Sequence, residues 1–331
     1  MKEINIAVVG ATGLVGLTFL KVLEEKKLKV DNYYLFASKK SAGKVIDFAG
    51  KKHTVLELTQ ENIRDKNITF ALFSAGGEVS LSFAPLFASM GAVVIDNSSV
   101  WRLNPDCPLV VPEVNPEDVF KNKGIVANPN CSTIQAVVAL KPLDDLFHIK
   151  RVVFTTFQAV SGAGVQGYLD LKDGISGENP KKFPHPIAFN VLPHIDSFLE
   201  NGYTKEEMKM INETKKILHR PDLLVTATTV RVPVFFGHSE SINVEFELPT
   251  SEKEIRNALQ NAKGIILLDD VQNNVYPMPI NAAGRDEVFV GRIRIDDTLE
   301  SGCNLWVVAD NVRKGAATNA IQILELLLNK M

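Results

Sequence analysis

The chain has 331 residues, of which 45% are hydrophobic and 23% are charged, and its formal net charge at pH 7 is -3. This is an ordinary globular composition with room for two domains, and the small net charge gives no reason to expect a nucleic acid or an anionic membrane as a partner. The first residues enter a strand-like pattern without a signal-peptide profile, and we see no apolar stretch of about 20 residues, so we expect a cytoplasmic protein.

Short apolar runs alternate with helix-like segments over the first 130 residues. The runs lie at residues 4–9, 32–38, 68–75, 92–98 and 124–129. An amphipathic segment that ends near Lys26 follows the first run. Apolar strands that alternate with helices are typical of a parallel sheet covered on both faces. The sequence therefore predicts an α/β fold that begins with a Rossmann-type parallel sheet.

The first strand-to-helix junction reads GATGLVG and contains Gly10, Gly13 and Gly16. Backbone amides at such a helix start can hold a pyrophosphate. The spacing differs from the stricter G-x-G-x-x-G motif, so a tight turn without a ligand is the alternative interpretation. A second glycine-containing turn, SAGG at residues 74–77, is a weaker candidate of the same kind.

The second strand ends in Ser38, Lys39, Lys40 and Ser41, with no carboxylate. An acidic residue at this place usually binds the ribose 2′-hydroxyl of NAD. Cations and hydroxyls suit a 2′-phosphate instead, so the pattern favours NADP over NAD. Two solvated lysines on a surface loop are the alternative.

After Cys131 the pattern changes to alternating strands, at residues 241–248 and 290–296, which indicates antiparallel strands with one covered face. In the first, residues 242, 244, 246 and 248 share a face; in the second, Arg292 and Arg294 alternate with Ile293 and Ile295. Helix starts are predicted by two capping boxes, Thr204 with Glu207 and Ser251 with Glu254. The last segment, 315–330, is helical with one apolar stripe. We predict an α+β second domain with a mixed or antiparallel sheet.

Cys131 stands between a strand-like run and the helix-like STIQAVVALKPL. Unpaired amides at a helix start favour the thiolate, which is the nucleophilic form of cysteine. A small buried hydrophobic residue is the alternative. Cys107, Cys131 and Cys303 are odd in number and widely separated, which indicates neither a disulfide framework nor a metal site.

Other polar residues occupy predicted strand ends and loops. His238 can accept and return the proton of a thiol, and Arg231 offers a planar fork to a carboxylate. Each of these residues alone is typical of a solvated charge or an ion pair, and their combination with a dinucleotide fold and a helix-start cysteine indicates an enzyme. The remaining candidates of this kind are Gln158, Arg102, Glu213 and Lys216.

Seven ordered motifs resemble aspartate-semialdehyde dehydrogenases along essentially the whole chain. They are GATGLVG, DNSSVWR, NPNCSTIQ, FQAVSGAG, ETKKI, VRVPVFFGHSE and DNVRKGAATNAIQ. The resemblance implies NADPH-dependent reductive dephosphorylation of L-aspartyl 4-phosphate to L-aspartate 4-semialdehyde through a cysteine acyl-enzyme. It also implies a place in lysine, methionine, threonine and diaminopimelate biosynthesis, and a homodimer, with a homotetramer left open.

The resemblance assigns roles position by position. Cys131 is then the nucleophile, His238 the acid and base, and Gln158 the group that orients the acyl intermediate. Arg231 would bind the substrate carboxylate and Glu213 its amino group. The phosphate site would comprise Arg102, Asn130 and Lys216. Cofactor contacts would be Gly10, Thr12, Gly13, Leu14, Val15, Lys40, Ser41, Ser161, Gly162 and Asn311.

The same resemblance divides the chain into an NADP-binding domain at residues 1–130, completed by a C-terminal helix at 312–331, and a catalytic and dimerisation domain at 131–311. Two rival functions remain. N-acetyl-gamma-glutamyl-phosphate reductase shares the fold, cofactor and cysteine chemistry, but an acetamide gives no reason for an anion such as Glu213. A non-catalytic NADP-binding regulator would tolerate loss of the cysteine and histidine, and both are present.

Overall fold

A computed structural model describes residues 3–330. These residues form two compact units, one from the residues up to Pro129 together with those from Ala316 onward, the other comprising Asn130–Gly315. The division lies one residue before the predicted boundary at 130, and residues 312–315 belong to the second unit instead of joining the final helix.

Within the described residues, the first unit contains eight strands and three α-helices ahead of its C-terminal segment. In chain order they are β1 Asn5–Val9, α1 Leu14–Lys26, β2 Asn32–Ala37, β3 Val45–Phe48, β4 Lys51–Thr54, β5 Leu56–Glu57, α2 Gln60–Arg64, β6 Phe70–Phe73, α3 Gly77–Ser89, β7 Val93–Asp96 and β8 Ile125–Ala127. Six of these strands form one sheet in the order β5-β2-β1-β6-β7-β8, and every pairing is parallel. The predicted parallel sheet is confirmed. The hairpin of β3 and β4 lies outside this sheet and was missed by the sequence pattern.

The second unit is built around a mixed six-stranded sheet. Its elements are α4 Cys131–Phe147, β9 Ile149–Gln158, α5 Gly164–Gly174, α6 Lys205–Ile217, β10 Leu224–Arg231, β11 His238–Phe246, α7 Glu252–Gln260, β12 Ile265–Leu267, α8 Pro279–Ala282, β13 Val288–Ile295 and β14 Gly302–Ala309. The strand order is β10-β9-β11-β14-β13-β12, parallel at its two outer pairs and antiparallel at the three inner pairs. The mixed sheet agrees with the predicted fold class.

The chain ends with a π-helical turn, Arg313–Thr318, followed by α9 Asn319–Leu328 in the first unit. The predicted C-terminal helical segment is confirmed, with its first turn π-helical instead of α-helical. Ile321 and Leu324 of α9 pack with Phe19 and Leu23 of α1 in the same core. On the opposite side of the sheet, Phe87 of α3 belongs to a second core. Helices thus cover both faces of the parallel sheet.

Two details of the alternating strands differ from the prediction. Leu248 lies beyond the end of β11 and is exposed, although Ile242, Val244 and Phe246 are buried as expected. In β13 the register shifts after Gly291, so that Ile293 is buried but Ile295 is exposed. A β-bulge adds a residue to one strand and breaks the period of two on which the prediction depended.

Both predicted capping boxes are present, at the starts of α6 and α7. Over residues 3–330, no helix is both long enough and apolar enough to cross a membrane.

Candidate active site

The glycine turn after β1 packs closely against the turn after β6. Gly10 has φ of +86°, and a Cβ there would lie 2.3 Å from the carbonyl oxygen of Ser74. A Cβ on Gly16 would lie 2.1 Å from the carbonyl oxygen of Gly10. Strands β1 and β6 are adjacent, and the chain runs outward from them in opposite directions, which is where doubly wound sheets bind nucleotides.

Helix α1 begins immediately after this turn. Its N-cap, Gly13, supplies no side chain to the first amides, so they keep the positive end of the helix dipole accessible. Thr12, Leu14 and Val15 surround the helix start and are partly exposed. This arrangement fits an anionic pyrophosphate.

The two residues predicted to read the ribose lie in a short 3-10 helix, Lys39–Ser41, which directly follows β2. Lys40 is exposed and Ser41 half-buried. Arg102 lies in the same unit and is buried, with Nε donating to the carbonyl of Asn128 and Nη2 to that of Asn97.

In the second unit, three predicted site residues meet at one end of the mixed sheet. Gln158 ends β9 and pairs in register with Arg231, which ends the parallel strand β10. Strand β11 runs antiparallel to β9 and begins with His238, next to Ser239, the partner of Phe157. The topology thus brings together side chains that are up to 80 residues apart in the chain.

Cys131 is the first residue of α4, and its Sγ lies 3.2 Å from Nε2 of His238. Nδ1 of His238 accepts a hydrogen bond of 2.9 Å from the backbone amide of Ala159. This bond requires an unprotonated Nδ1, so a neutral imidazole carries its proton on Nε2, facing the sulfur. An N–H donor at that distance stabilises a thiolate over a thiol.

His238 is completely buried. Burial, aided by the positive charge of Arg231, lowers the pKa of His238 to about 3. The imidazole is therefore neutral at neutral pH, consistent with the tautomer that the Ala159 amide selects. A neutral Nε2–H can donate a hydrogen bond to a developing oxyanion.

Arg231 is also buried, and its guanidinium is held from two sides. Nη1 donates to the carbonyl of Ala159 at 2.7 Å, and the ring of Phe183 lies 5.7 Å from its central carbon. Its Nε has no partner among residues 3–330. A Cβ on Gly162 would lie 3.0 Å from Nη1 of Arg231 and 3.3 Å from the imidazole of His238. Gly162 therefore leaves open the space that Arg231 and His238 border.

Asn130 is the N-cap of α4, and its Oδ1 accepts the amides of Ser132 and Thr133. Its own backbone amide donates to the Glu213 carboxylate at 2.6 Å. Glu213 is buried in α6, and Lys216 lies one turn further along that helix, half-buried. Both predicted α6 residues are thus on the helix that supports the cysteine turn.

Ser161 and Asn311, two predicted cofactor contacts, bind each other. Nδ2 of Asn311 donates to Oγ of Ser161 at 3.0 Å, and its Oδ1 accepts the backbone amide of Gly237, which precedes His238. The pair therefore links the turn after β9 to the start of β11.

Glu206 was missed by the sequence analysis. It lies in the first turn of α6, buried, and its Oε1 accepts Nδ2 of Asn130 at 2.9 Å and Nε2 of Gln158 at 3.1 Å. Burial by itself would raise the pKa of Glu206, but the charge of Lys209 and the hydrogen bonds lower it to about 2. A usable signal existed, since Glu206 precedes Glu213 by seven residues and so shares its helix face.

Gly315 was missed as well. A Cβ at this position would lie 2.9 Å from Cβ and 3.3 Å from Cα of Cys131. Gly315 belongs to the π-helical turn, a conformation that is frequent at functional sites. It leaves space directly beside the cysteine.

Glu240 lies in β11 two residues after His238 and is completely buried. Burial raises the pKa of Glu240 well above its usual range, opposed in part by the nearby hydroxyl of Ser132. Within residues 3–330, neither of its carboxyl oxygens has a well-formed hydrogen bond. Burial thus favours the protonated, neutral form of Glu240 in the folded chain.

Comparison with known proteins agrees with this architecture. Residues 5–122 match the family model of the semialdehyde dehydrogenase NAD binding domain, and residues 140–314 match that of the semialdehyde dehydrogenase dimerisation domain. A parallel nucleotide-binding sheet and a mixed sheet with a helix-start cysteine thus define the class as a semialdehyde dehydrogenase.

Comparison with individual proteins identifies the family within this class. The aspartate-semialdehyde dehydrogenase of Aquifex aeolicus is 62% identical over 335 residues, covering 98% of both chains. The crystal structure of aspartate semialdehyde dehydrogenase II complexed with ASA from Vibrio cholerae has a TM-score of 0.95 and 48% identity, covering 99% of both chains. That of aspartate semialdehyde dehydrogenase with NADP from Candida albicans has a TM-score of 0.78 and 27% identity, with the same coverage. The chain belongs to the aspartate-semialdehyde dehydrogenase family.

Proposed function

We propose that the chain reduces L-aspartyl 4-phosphate to L-aspartate 4-semialdehyde with NADPH, reversibly and with release of phosphate, through a thioester on Cys131. The observation that carries the proposal is the 3.2 Å contact between Sγ of Cys131 and Nε2 of His238 at the start of α4. Membership of the aspartate-semialdehyde dehydrogenase family supports the overall reaction.

The first step is attack of the Cys131 thiolate on the acyl carbon. A carbon–sulfur bond forms, the bond between the acyl carbon and the phosphate oxygen breaks, and the electron pair leaves with phosphate. The helix start and the Nε2–H of His238 hold the sulfur as a thiolate before attack. Gln158 keeps the acyl group oriented at the end of β9.

NADPH, when bound, supplies the hydride that reduces the thioester. The Nε2–H of His238 donates to the oxygen that becomes negative at this stage. When the carbon–sulfur bond breaks, the aldehyde leaves and Cys131 returns to the thiolate.

Charged residues would hold the rest of the substrate. The Nε of buried Arg231, without a partner in the described part of the chain, is a donor for the α-carboxylate, and Glu213 is an anion for the ammonium group. Arg102, Asn130 and Lys216 would bind the phosphate. Of the Asn130 side chain, one N–H remains for this purpose, because Oδ1 caps α4 and the other N–H is bound to Glu206.

The glycine turn supports the nucleotide assignment. A side chain on Gly10 or Gly16 would clash with neighbouring backbone atoms, so glycine at both positions lets the backbone of the turn pack closely. Gly10, Thr12, Gly13, Leu14 and Val15 would hold the pyrophosphate half. The remaining proposed cofactor contacts are Lys40, Ser41, Ser161, Gly162 and Asn311. The NADP named in the Candida albicans structure, together with the cationic end of β2, supports NADPH over NADH.

The match to a dimerisation domain supports a homodimer formed through the second unit, and a homotetramer stays a prediction. The aldehyde product would enter lysine, methionine, threonine and diaminopimelate biosynthesis.

The test runs the reaction backwards, following NADPH formation by absorbance with NADP, phosphate and aspartate semialdehyde. Formation that requires both phosphate and the aldehyde is the expected result. Cys131→Ser should abolish turnover and leave NADP affinity nearly unchanged, because an alcohol is a much weaker nucleophile than a thiolate. Turnover only with N-acetyl-glutamate semialdehyde would reassign the substrate, and NADP binding without turnover on either aldehyde would indicate a regulator.

A further inference from the structure

We propose that Glu206 is a positioning residue that fixes the carboxamides of Gln158 and Asn130 through one carboxylate oxygen. Oε1 of Glu206 accepts Nε2 of Gln158 at 3.1 Å and Nδ2 of Asn130 at 2.9 Å. The inference rests on the proposed function, since it assigns a residue that acts through two groups of the same site.

The carboxylate decides which way each amide faces. An ionised carboxylate only accepts hydrogen bonds, so it selects the NH2 end of both amides. On the opposite end, Oε1 of Gln158 accepts Oγ1 of Thr156 at 3.0 Å, and Oδ1 of Asn130 caps α4. Each amide is thereby held at both ends, with one N–H left in a fixed direction.

An ion pair with the partly buried Lys209 keeps Glu206 charged. Its second oxygen, Oε2, lies 3.0 Å from Nζ of Lys209, which also contacts Oδ2 of Asp196 at 2.8 Å. Glu206 is only 6% exposed, so an uncompensated charge there would be costly. Lys209 offsets that cost without touching Gln158 or Asn130 in any contact that we identify among the described residues.

The neighbouring Glu207 provides a matched control. It is buried to a similar degree, but it accepts hydrogen bonds from backbone amides, those of Thr204 and Thr229. These bonds complete the capping box of α6 and connect the helix to β10. Glu206 and Glu207 thus share helix, burial and charge but differ in what they hold.

The test compares E206Q with E207Q in the phosphate-dependent assay. Glutamine can accept with one oxygen but cannot compensate Lys209, so the Gln158 amide is released. We expect E206Q to lower kcat about 100-fold, the scale of a small misplacement of reacting groups. The KM for NADP and the rate of Cys131 alkylation by iodoacetamide should stay within about threefold, because the cysteine–histidine contact does not involve Glu206. E207Q should lower the melting temperature and leave kcat within about threefold.

A double-mutant cycle identifies the route of the effect. If Glu206 acts through Gln158, E206Q should add little on a Gln158→Ala background. If the effects of E206Q and Gln158→Ala on kcat multiply, or if E206Q alone keeps nearly wild-type kcat, the inference is wrong. Should E206Q fail to fold, E206Q combined with Lys209→Met removes both charges and is read in the same way.

The two proposals fail differently. A wild-type enzyme without phosphate-dependent turnover contradicts the proposed function. An active wild type with an equally active E206Q contradicts only the role of Glu206.

Discussion

The two candidate sites of this chain differ in which part of the residue forms them, the backbone in one and the side chains in the other. In the first unit the glycine turn consists of backbone, and its shape depends on side chains that are absent at Gly10 and Gly16. In the second unit the cysteine site consists of side chains, most of them buried, that hydrogen bonds hold in place. His238 is fixed by the amide of Ala159, and Gln158 by Glu206 and Thr156.

The difference follows from what each site would bind. A pyrophosphate carries its own charge and needs only amides and a close approach of backbone. A thiolate that forms a covalent intermediate needs its partners in one geometry, and buried hydrogen bonds supply that order. Apart from Gly10 and Gly16, the first site should therefore tolerate changes of side chain better than the second.

Gly315→Ala should have the largest effect. It tests the limit of this comparison, because the cysteine site, like the glycine turn, needs one position without a side chain. The new Cβ would lie 2.9 Å from Cβ of Cys131. At that distance either Cys131 or the turn at Gly315 must shift, which alters the surroundings of the nucleophile, and we expect kcat to fall about 100-fold.

The measurement is kcat together with the rate of Cys131 alkylation. Gly174→Ala is the control, because its Cβ would contact only the Ala188 side chain, at 3.3 Å. Wild-type kcat and alkylation in the Gly315 variant would mean that the space beside the cysteine has no function.

The same contrast explains how much was predictable from the sequence. The parallel sheet and the turn at Gly10 follow from local patterns, a buried strand and a helix start within one short segment. The position of Cys131 at a helix start is local in the same way. The two capping boxes belong to this group, since residues three positions apart decide them.

Residues whose importance comes from distant contacts were missed. Gly315 matters because of Cys131, far away in the chain, and Glu206 because of Asn130 and Gln158. Glu240 reads as a polar residue of an alternating strand, yet the sheet and α4 bury it. None of these contacts leaves a periodic trace, although the seven-residue spacing of Glu206 and Glu213 was visible.

Glu240→Gln should have an intermediate effect, and the effect is on stability. It tests whether burial in the second unit keeps a carboxyl group protonated. An unfolded Glu has a pKa of about 4.3, and burial raises the pKa of Glu240 in the folded chain. Between these two values the unfolded chain loses a proton that the folded chain keeps. Stability of the wild type should therefore fall as pH rises through that window.

The glutamine variant lacks this loss, so its advantage in unfolding free energy should grow by up to about 1.4 kcal/mol per pH unit above roughly pH 4.5. Melting temperatures of both proteins across this range measure it. Glu254→Gln is the control, because its Ser251 hydrogen bonds lower the pKa of Glu254 and give no widening gap above that pH. A gap that stays constant for Glu240→Gln would mean that this carboxyl is ionised in the folded chain.

Lys40→Ala should have the smallest effect and tests the other side of the contrast. Lys40 is exposed in the 3-10 helix after β2, so a contact with a 2′-phosphate would be largely solvated. Exposed ion pairs contribute about 0.2–1 kcal/mol. We expect the ratio of kcat/KM with NADP to that with NAD to fall at most about fivefold, entirely through NADP. Lys39→Ala, an exposed neighbour without a proposed contact, should leave the ratio unchanged. If Lys40→Ala lowers both values equally, the lysine supports the turn and does not read the phosphate, and the nucleotide site then depends on backbone alone.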